Sequence, residues 1–281
     1  MSVNANMRDP RVHSSSDSSR DILPVLLVED NPINQKVATL LLDKLGLNSV
    51  VAANGKEAVE VFSQRRFSVI LMDCQMPEMD GFQATVAIRK LEALSGTYTP
   101  IIAVTALAMA GDQARCIASG MDDYIPKPID HNLLRLKLNH WLQADVVYSS
   151  QKLARKYTRD HNDPSLDEDP INVPDLQEFY SPDQLNEMLS LFLAQTEDML
   201  KRTDFFVKQK DAKAVAGLAH ELRASCASIG AKHLARACLC LEQAAGQQDW
   251  PEAADTIKSI QTSRDRLKAF IANLLTQIKK V

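Results

Sequence analysis

The first half of the chain alternates short apolar runs with amphipathic segments. The apolar runs between residues 24 and 142 are VLLVED, SVVAA, SVILMD, PIIAVTA and DYIPKP. Uninterrupted apolar runs of this length are typical of strands buried on both faces, and their alternation with helices is typical of a parallel sheet. The pattern therefore predicts an α/β domain with five parallel strands and helices on both faces of the sheet.

The second half of the chain follows a different pattern. Residues 143–174 are polar, rich in Pro and Asp and without a period, and we interpret them as a linker. The stretch SPDQLNEMLSLFLAQTEDML then begins a helix with a Ser cap followed by Pro. Further helices are predicted at about 211–229, 231–247 and 251–279. Four helices with short connections predict an all-α, up-and-down bundle over residues 175–281.

Composition and charge exclude several classes of protein. The chain has 281 residues, 45% of them hydrophobic and 24% charged, and a formal net charge of −4, which is not the basic footprint of a nucleic-acid-binding protein. No apolar run approaches the roughly 20 residues that span a bilayer. The Ser-rich segment 1–22 lacks the apolar core of a secretory signal, and we interpret it as a disordered tail or as part of a longer parent chain. The five cysteines form no CxxC pair, which favours a reducing compartment. We therefore expect a cytoplasmic protein that binds no nucleic acid and does not insert into a membrane.

Polar residues stand at the carboxyl ends of four predicted strands. They are Glu29, Asp30, Asp73, Thr105 and Lys127. The carboxyl ends of parallel strands meet at one edge of the sheet, where open α/β folds bind their ligands. Crowded carboxylates repel one another, and Mg²⁺, which prefers oxygen ligands, would neutralise them. A divalent cation and a nearby Lys are also what a transferring phosphoryl group requires, and a carboxylate can accept that group as an acyl phosphate.

Four motifs around these residues resemble the landmarks of response regulator receiver domains. LLVEDNPINQKVA, ILMDCQMPEMDG, VTALA and YIPKP occur in the same order and at the expected separations. The resemblance covers residues 23–142 and implies a flavodoxin-like, doubly wound sheet with Asp73 as the phosphoacceptor. It also implies a Mg²⁺ site in which Asp30, Asp73 and the backbone carbonyl of Gln75 are ligands and Glu29 assists through water.

The same resemblance implies roles for the residues on the last two strands. Thr105 and Lys127 would contact the phosphoryl oxygens. Thr105 and Tyr124 would form the receiver switch, in which Tyr124 matches the family's aromatic residue. The family also implies a cis peptide bond before Pro128, of the kind that a tight turn with proline can hold.

One histidine of the helical half lies on a bare helix face. The buried stripe predicted for this helix consists of Val215, Leu218, Leu222, Cys226 and Ile229. At about 100° per residue, His220 points roughly 150° away from the centre of that stripe. Its neighbours one turn away are small or basic, namely Ala216, Gly217, Arg223 and Ala224. Small neighbours would let a partner's catalytic edge reach the imidazole, and the Arg could balance a phosphate.

The stretch HELRASCASIG resembles the motif of histidine-containing phosphotransfer (HPt) domains. That motif is His, any residue, Leu, Lys and Gly, followed later by Ile or Leu and then Gly. The chain departs from it twice, because Arg223 replaces Lys and Ala224 replaces Gly. Arg keeps the charge, whereas the Ala methyl would slow docking without preventing it. The resemblance covers about residues 175–279 and implies that His220 carries a phosphoryl group within the docking surface just described.

A receiver domain followed by an HPt domain implies a phosphorelay intermediate, as in the C-terminal part of hybrid sensor kinases. The chain has no GxGxxG or GxxxxGK motif, so we expect a phosphotransfer protein without an ATP-binding kinase domain and not an enzyme. In this hypothesis Asp73 accepts a phosphoryl group from a sensor histidine kinase, and His220 passes it to a downstream response regulator.

Two alternatives remain open from the sequence. A Mg²⁺-dependent phosphatase of the haloacid dehalogenase type would need a second carboxylate two residues after the nucleophile, where this chain has Gln75. A generic phosphatase assay would test this alternative. A docking module that is never phosphorylated would not be labelled by a small phosphodonor.

Overall fold

The computed structural model describes residues 23–105, 110–142 and 180–278, together with a few positions between 170 and 177. Its strands are β1 (Val25–Val28), β2 (Ser49–Ala52), β3 (Val69–Asp73), β4 (Ile101–Thr105) and β5 (Asp123–Pro126). They pair in parallel in the order β2-β1-β3-β4-β5. The predicted five-stranded parallel sheet is therefore confirmed. The strand order reverses between β1 and β3, which is where a doubly wound sheet opens its ligand-binding crevice.

Five helices alternate with these strands. They are α1 (Pro32–Lys44), α2 (Gly55–Gln64), α3 (Gly81–Ser95), α4 (Ala110–Ala118) and α5 (His131–Leu142). The side-chain oxygen of Asn31 caps α1 by accepting the backbone N–H groups of Ile33 and Asn34. Asp80 caps α3 through a capping box with Gln83. These caps fix the two loops that leave the carboxyl ends of β1 and β3.

The helical half is a four-helix bundle. Its helices are α6 (Pro182–Gln209), α7 (Ala212–Ser228), α8 (Lys232–Gly246) and α9 (Trp250–Ile278). Helix α6 packs against α7 and α9, and α8 packs against α7 and α9, so the four helices form a closed ring. Each residue of the stripe predicted for α7 is buried. The all-α fold expected from the 3.6-residue period is confirmed.

Two hydrophobic clusters cover the two faces of the sheet. The smaller one joins one face to α2 and α3 through residues such as Ala58, Ala84 and Ile88. The larger one joins the other face to α1 and α5, and it continues into the bundle, where it includes Phe192 and Leu222. One apolar core therefore runs from the sheet, through α1, into the helical half.

The end of the predicted linker also belongs to this larger core. Ile171 and Val173 are buried in it, as are Leu176 and Tyr180 just before α6. The polar, aperiodic composition of residues 143–174 gave no sign of these isolated apolar contacts. The tail 1–22 and residues 143–169 lie outside the described part of the chain, and the domain boundaries assigned from the sequence stay a prediction.

Helix α1 is the point at which the two halves meet. It packs against α6 and α7. The Nδ2 group of Asn31 donates to Ser225 Oγ at 2.8 Å, and Ser228 Oγ donates to Asn34 Oδ1 at 2.8 Å. Lys36 Nζ lies 2.7 Å from a carboxylate oxygen of Glu187. These contacts dock the bundle on the carboxyl edge of the sheet, an arrangement that no sequence pattern predicted.

Candidate functional site

The charged strand-end residues form one compact group. Lys127 Nζ lies 2.6 Å from Glu29 Oε2 and 2.7 Å from Asp73 Oδ2. Glu29, Asp30 and Asp73 each present a carboxylate oxygen within 4.8 Å of the others. Glu29 and Asp73 are buried, whereas Asp30 is partly exposed. The structure thus brings together the three carboxylates and the ammonium group at the edge where the sequence placed them.

The electrostatics of this group favour an additional positive charge. Burial, reinforced by the charge of Asp73, raises the pKa of Glu29 to about 7 and that of Asp30 to about 6. Burial alone would lower the pKa of Lys127, but Glu29 and Asp73 outweigh it and raise that pKa. Since three close carboxylates share one ammonium group, the donor set and its charge fit a hard divalent cation such as Mg²⁺.

The loop after β3 is held close to Asp73. The backbone N–H of Gln75 donates to Asp73 Oδ1 at 3.1 Å, so the carbonyl of Gln75 belongs to the same short turn. A Cβ atom on Gly81 would lie 2.1 Å from the Asp73 carbonyl oxygen, so only glycine fits at the first position of α3. The glycine of the MPEMDG stretch was the signal for this close approach, and our interpretation of the sequence did not use it.

Thr105 and Tyr124 lie on the neighbouring strands. Thr105 is buried at the end of β4, in register with Pro126 of β5. Tyr124 is half-buried against the smaller hydrophobic cluster, with Lys137 Nζ 5.6 Å from its ring centroid. The peptide bond between Lys127 and Pro128 is cis, as the resemblance implied. The loop that follows Thr105, residues 106–109, lies outside the described part of the chain.

His220 is held by two groups on the bundle. Its Nδ1 atom lies 3.1 Å from Glu242 Oε1 and 3.0 Å from Arg223 Nη2, and Arg223 Nε donates to Glu242 Oε2 at 3.1 Å. Glu242 can accept a hydrogen bond from a protonated Nδ1, whereas Arg223 can donate only to an unprotonated one, so the two contacts suit different tautomers of the imidazole. In the tautomer with the proton on Nδ1, the Nε2 lone pair is available. Sequence reasoning missed Glu242, which lies on the next helix. Its one visible signal is that α8 carries a single acidic residue.

His220 points away from the bundle core, as predicted, but not into open solvent. Its side chain is 28% exposed and faces a cavity of about 820 Å³ between the two halves. The sheet contributes to this cavity residues that include Asp30, Asp73, Gln75 and Lys127, and α7 contributes Gly217, His220, Glu221 and Ala224. The acidic group and the histidine therefore share one cavity.

The four residues expected to form a docking surface have different surroundings. Gly217 and Ala224 line the shared cavity, whereas Ala216 packs against the larger hydrophobic cluster. A Cβ on Gly217 would meet no atom within 4 Å, so the docked arrangement leaves room for Ala there. Arg223 is engaged with Glu242 and His220, which orients its guanidinium on the bundle rather than across the cavity.

Comparisons with known proteins identify both halves. The family model of the response regulator receiver domain matches residues 25–139, and that of the Hpt domain matches residues 187–279. The signal transduction histidine-protein kinase BarA of Escherichia coli is 30% identical over 241 residues, which cover 81% of this chain and 24% of BarA. The sensor protein GacS of Pseudomonas syringae is 44% identical over 118 residues, covering 42% and 13%.

Solved structures give likenesses to parts of the chain. The receiver domain of a Pseudomonas aeruginosa sensor histidine kinase, with magnesium in its active-site cleft, is 41% identical, with a TM-score of 0.41 and coverage of 44% of this chain and 99% of that one. A chain of the Saccharomyces cerevisiae Ypd1–Ssk1 receiver complex is 31% identical, with a TM-score of 0.42 and coverage of 46% and 94%.

The chain spans about a quarter or less of the length of the curated relatives named above. Among the described residues, no helix combines the length and apolar character needed to cross a bilayer. Both family models lie in one chain, the receiver first, and both agree with the folds observed. The chain thus contains a response regulator receiver domain followed by an Hpt domain, the two kinds of domain that relay phosphoryl groups in two-component systems.

Proposed function

We propose that the chain is a two-station phosphorelay intermediate. Asp73 accepts a phosphoryl group from a sensor histidine kinase, and His220 passes it to the receiver domain of a downstream response regulator. The observation that carries this proposal is the single cavity lined by both Asp73 and His220. Because BarA and GacS are named as a histidine kinase and a sensor protein, we propose the cytoplasmic relay of such a hybrid system as the setting.

The proposed chemistry at Asp73 follows from its contacts. A carboxylate oxygen attacks the incoming phosphorus, the bond to the donor nitrogen breaks, and an acyl phosphate forms. Lys127 and Thr105 would bind the phosphoryl oxygens, and Asp30, Asp73 and the Gln75 carbonyl would hold Mg²⁺, with Glu29 assisting through water. The cation would supply positive charge that offsets the repulsion between the carboxylates and the phosphoryl group.

The second transfer uses the histidine. Nε2 of His220 attacks the phosphorus, the bond to the Asp73 oxygen breaks, and the carboxylate leaves with the electron pair. Glu242 would accept a hydrogen bond from the Nδ1 N–H group and stabilise the positive charge that develops on the imidazole, which keeps this proton during the transfer. The chain would thereby transfer the group rather than turn over a small substrate, and Gln75 does not provide the second acid that a phosphatase of the dehalogenase type needs.

Glu242 gives a test of this second step. Replacing it by Ala removes the acceptor of the Nδ1 proton, and hydrogen bonds to charged groups are worth about 1.5–3 kcal/mol. We expect transfer from Asp73 to His220 to slow by about tenfold or more, while labelling of Asp73 by acetyl phosphate is unchanged. Rapid-quench measurement of both phospho-species would show this. Glu242→Gln, which keeps a carbonyl acceptor, should recover part of the rate, and the exposed Glu252→Ala serves as the matched control. A wild-type rate in Glu242→Ala would contradict the role.

Mg²⁺ binding should depend on pH. Because the metal-free pKa values of Glu29 and Asp30 are about 7 and about 6, protons compete with the cation below neutral pH. We expect the Mg²⁺ affinity to fall by about tenfold between pH 7 and pH 6, as calorimetric titration would measure. Glu29→Gln should flatten this dependence. An affinity that is constant across this range would contradict the proposed site.

The raised pKa values of Glu29 and Asp30 also determine how the free energy of unfolding of the metal-free chain changes with pH. The folded state holds these protons more tightly than the unfolded chain, whose ordinary values are 4.5 for Glu and 3.8 for Asp. Their contribution to the free energy of unfolding is therefore complete below about pH 4 and is lost as the pH rises through 6 and 7. Thermal unfolding in a chelator should show this loss, and added Mg²⁺ should reverse it.

A further inference from the structure

Glu221 adds a carboxylate to the cavity from the bundle side. It follows His220 in the chain, and both Glu221 and Asp30 line the space between the two halves. Burial raises the pKa of Glu221, while the charge of Arg202 and a hydrogen bond with Gln195 act in the opposite direction. The negative charge of Glu221 in turn contributes to the raised pKa of Asp30. The two carboxylates therefore interact across the interface.

Hydrogen bonds tie the helical turn that carries Glu221 to the receiver domain. Ser225, one turn along α7, donates its hydroxyl to the Glu221 carbonyl at 3.2 Å and accepts from Asn31 Nδ2 at 2.8 Å. Asn31 directly follows Asp30, so the turn that carries Glu221 is tied to the residue beside the acidic group. In this docked arrangement Glu221 lines the same cavity as the acidic group.

The charge at the sheet edge affects how readily a carboxylate of the bundle can approach. On the sheet side the cavity is lined by more acidic than basic residues, which leaves an excess of negative charge there. The acidic residues are Glu29, Asp30, Asp73 and Asp80, and the basic ones are Arg115 and Lys127. A further carboxylate from the bundle is repelled by this excess, and a bound divalent cation reverses the sign of the local interaction.

We propose that Glu221 makes docking of the Hpt bundle on the receiver edge depend on the divalent cation. With the cation held by the acidic group, Glu221 favours the docked state; without it, Glu221 opposes docking. By linkage, the docked chain must bind the cation more tightly by the same factor. The bundle would then close on a receiver that is loaded for transfer and separate from a metal-free one. This inference rests on the metal site of the proposed function.

The experiment measures cation affinity and domain separation in the full chain at pH 8, above the raised pKa values. Mn²⁺ binding is followed by electron paramagnetic resonance with Mg²⁺ competition, and compaction by small-angle X-ray scattering with and without Mg²⁺. We expect Mg²⁺ to compact the wild type. Glu221→Gln should weaken cation affinity by about fivefold or more, the lower end of typical coupling between sites, and should remove the Mg²⁺ dependence of compaction.

A control variant and a charge-reversal variant test whether the effect depends on the charge of Glu221. Glu252→Gln removes a carboxylate from an exposed site on α9 and should behave as wild type. Glu221→Lys should dock without Mg²⁺ and open when the cation is added. Equal affinities in wild type and Glu221→Gln, with compaction indifferent to Mg²⁺, would overturn the inference while wild-type labelling by acetyl phosphate upholds the proposed function. Failure of the wild type to bind either cation would overturn the proposed metal site as well.

Discussion

Replacing Asp73 by Asn should abolish labelling of the chain by acetyl phosphate in the presence of Mg²⁺. An amide cannot form the acyl phosphate, and the acceptor carboxylate is fixed in place by Lys127 at 2.7 Å and by the Gln75 N–H at 3.1 Å. The wild-type label should be stable in acid and labile in alkali, as an acyl phosphate is. Asp43→Asn, which changes an exposed carboxylate on α1, should retain full labelling.

Removal of the metal should lower labelling nearly as much as the Asp73 substitution does. Without a cation, the attacking carboxylate and the incoming phosphoryl group repel each other. Undiminished labelling in a chelator would contradict the proposed site. A wild type that is never labelled would favour a docking module, and steady hydrolysis of small phosphate esters would favour a phosphatase, so one experiment separates the three functions.

Transfer from Asp73 to His220 should be mainly intramolecular, with a rate independent of protein concentration. The two residues line one cavity, and α1 contacts α6 and α7 of the same chain. A tether of about 30 residues reaches roughly 30 Å and gives a local concentration in the millimolar range. At micromolar protein, transfer between separate chains should therefore be about 100-fold slower or more.

The measurement mixes two variants that each keep one station. His220→Gln chains, labelled at Asp73 and freed of donor, are added to Asp73→Asn chains, and the phosphohistidine formed is compared with that of wild type. Ala224→Gly in the second chain should speed this exchange, because it removes the methyl group that lines the cavity. Transfer in the mixture as fast as in wild type would show that the tether has no role.

Much of the fold and half of the site could be predicted from local pattern. The carboxyl ends of parallel strands must meet, so Glu29, Asp30, Asp73 and Lys127 could be placed together before any coordinates. The buried stripe of α7 followed from helical geometry in the same way. Each of these inferences depends on the spacing of apolar residues in a helix or on the end of a strand. Both features can be recognised from residues that are close together in the sequence.

The features that were missed depend on contacts between elements. Glu242 meets His220 because α8 packs beside α7, and its position in the chain gives no periodic signal. Asn31 and Ser225 are 194 positions apart, and small polar residues are common on exposed helices. The burial of Ile171 within a polar segment likewise depends on its packing against the larger hydrophobic cluster, which is formed by other elements. Docking of the two halves could be found only from their three-dimensional packing.

The side-chain amide of Asn31 serves both halves at once. Its oxygen accepts the first backbone N–H groups of α1, so the amide cannot turn over without uncapping that helix. Its nitrogen is thereby directed at Ser225. One rigid, planar group therefore connects the bundle to the turn that begins just after Asp30. We expect a rotation of the bundle to shift the backbone segment that carries Glu29 and Asp30.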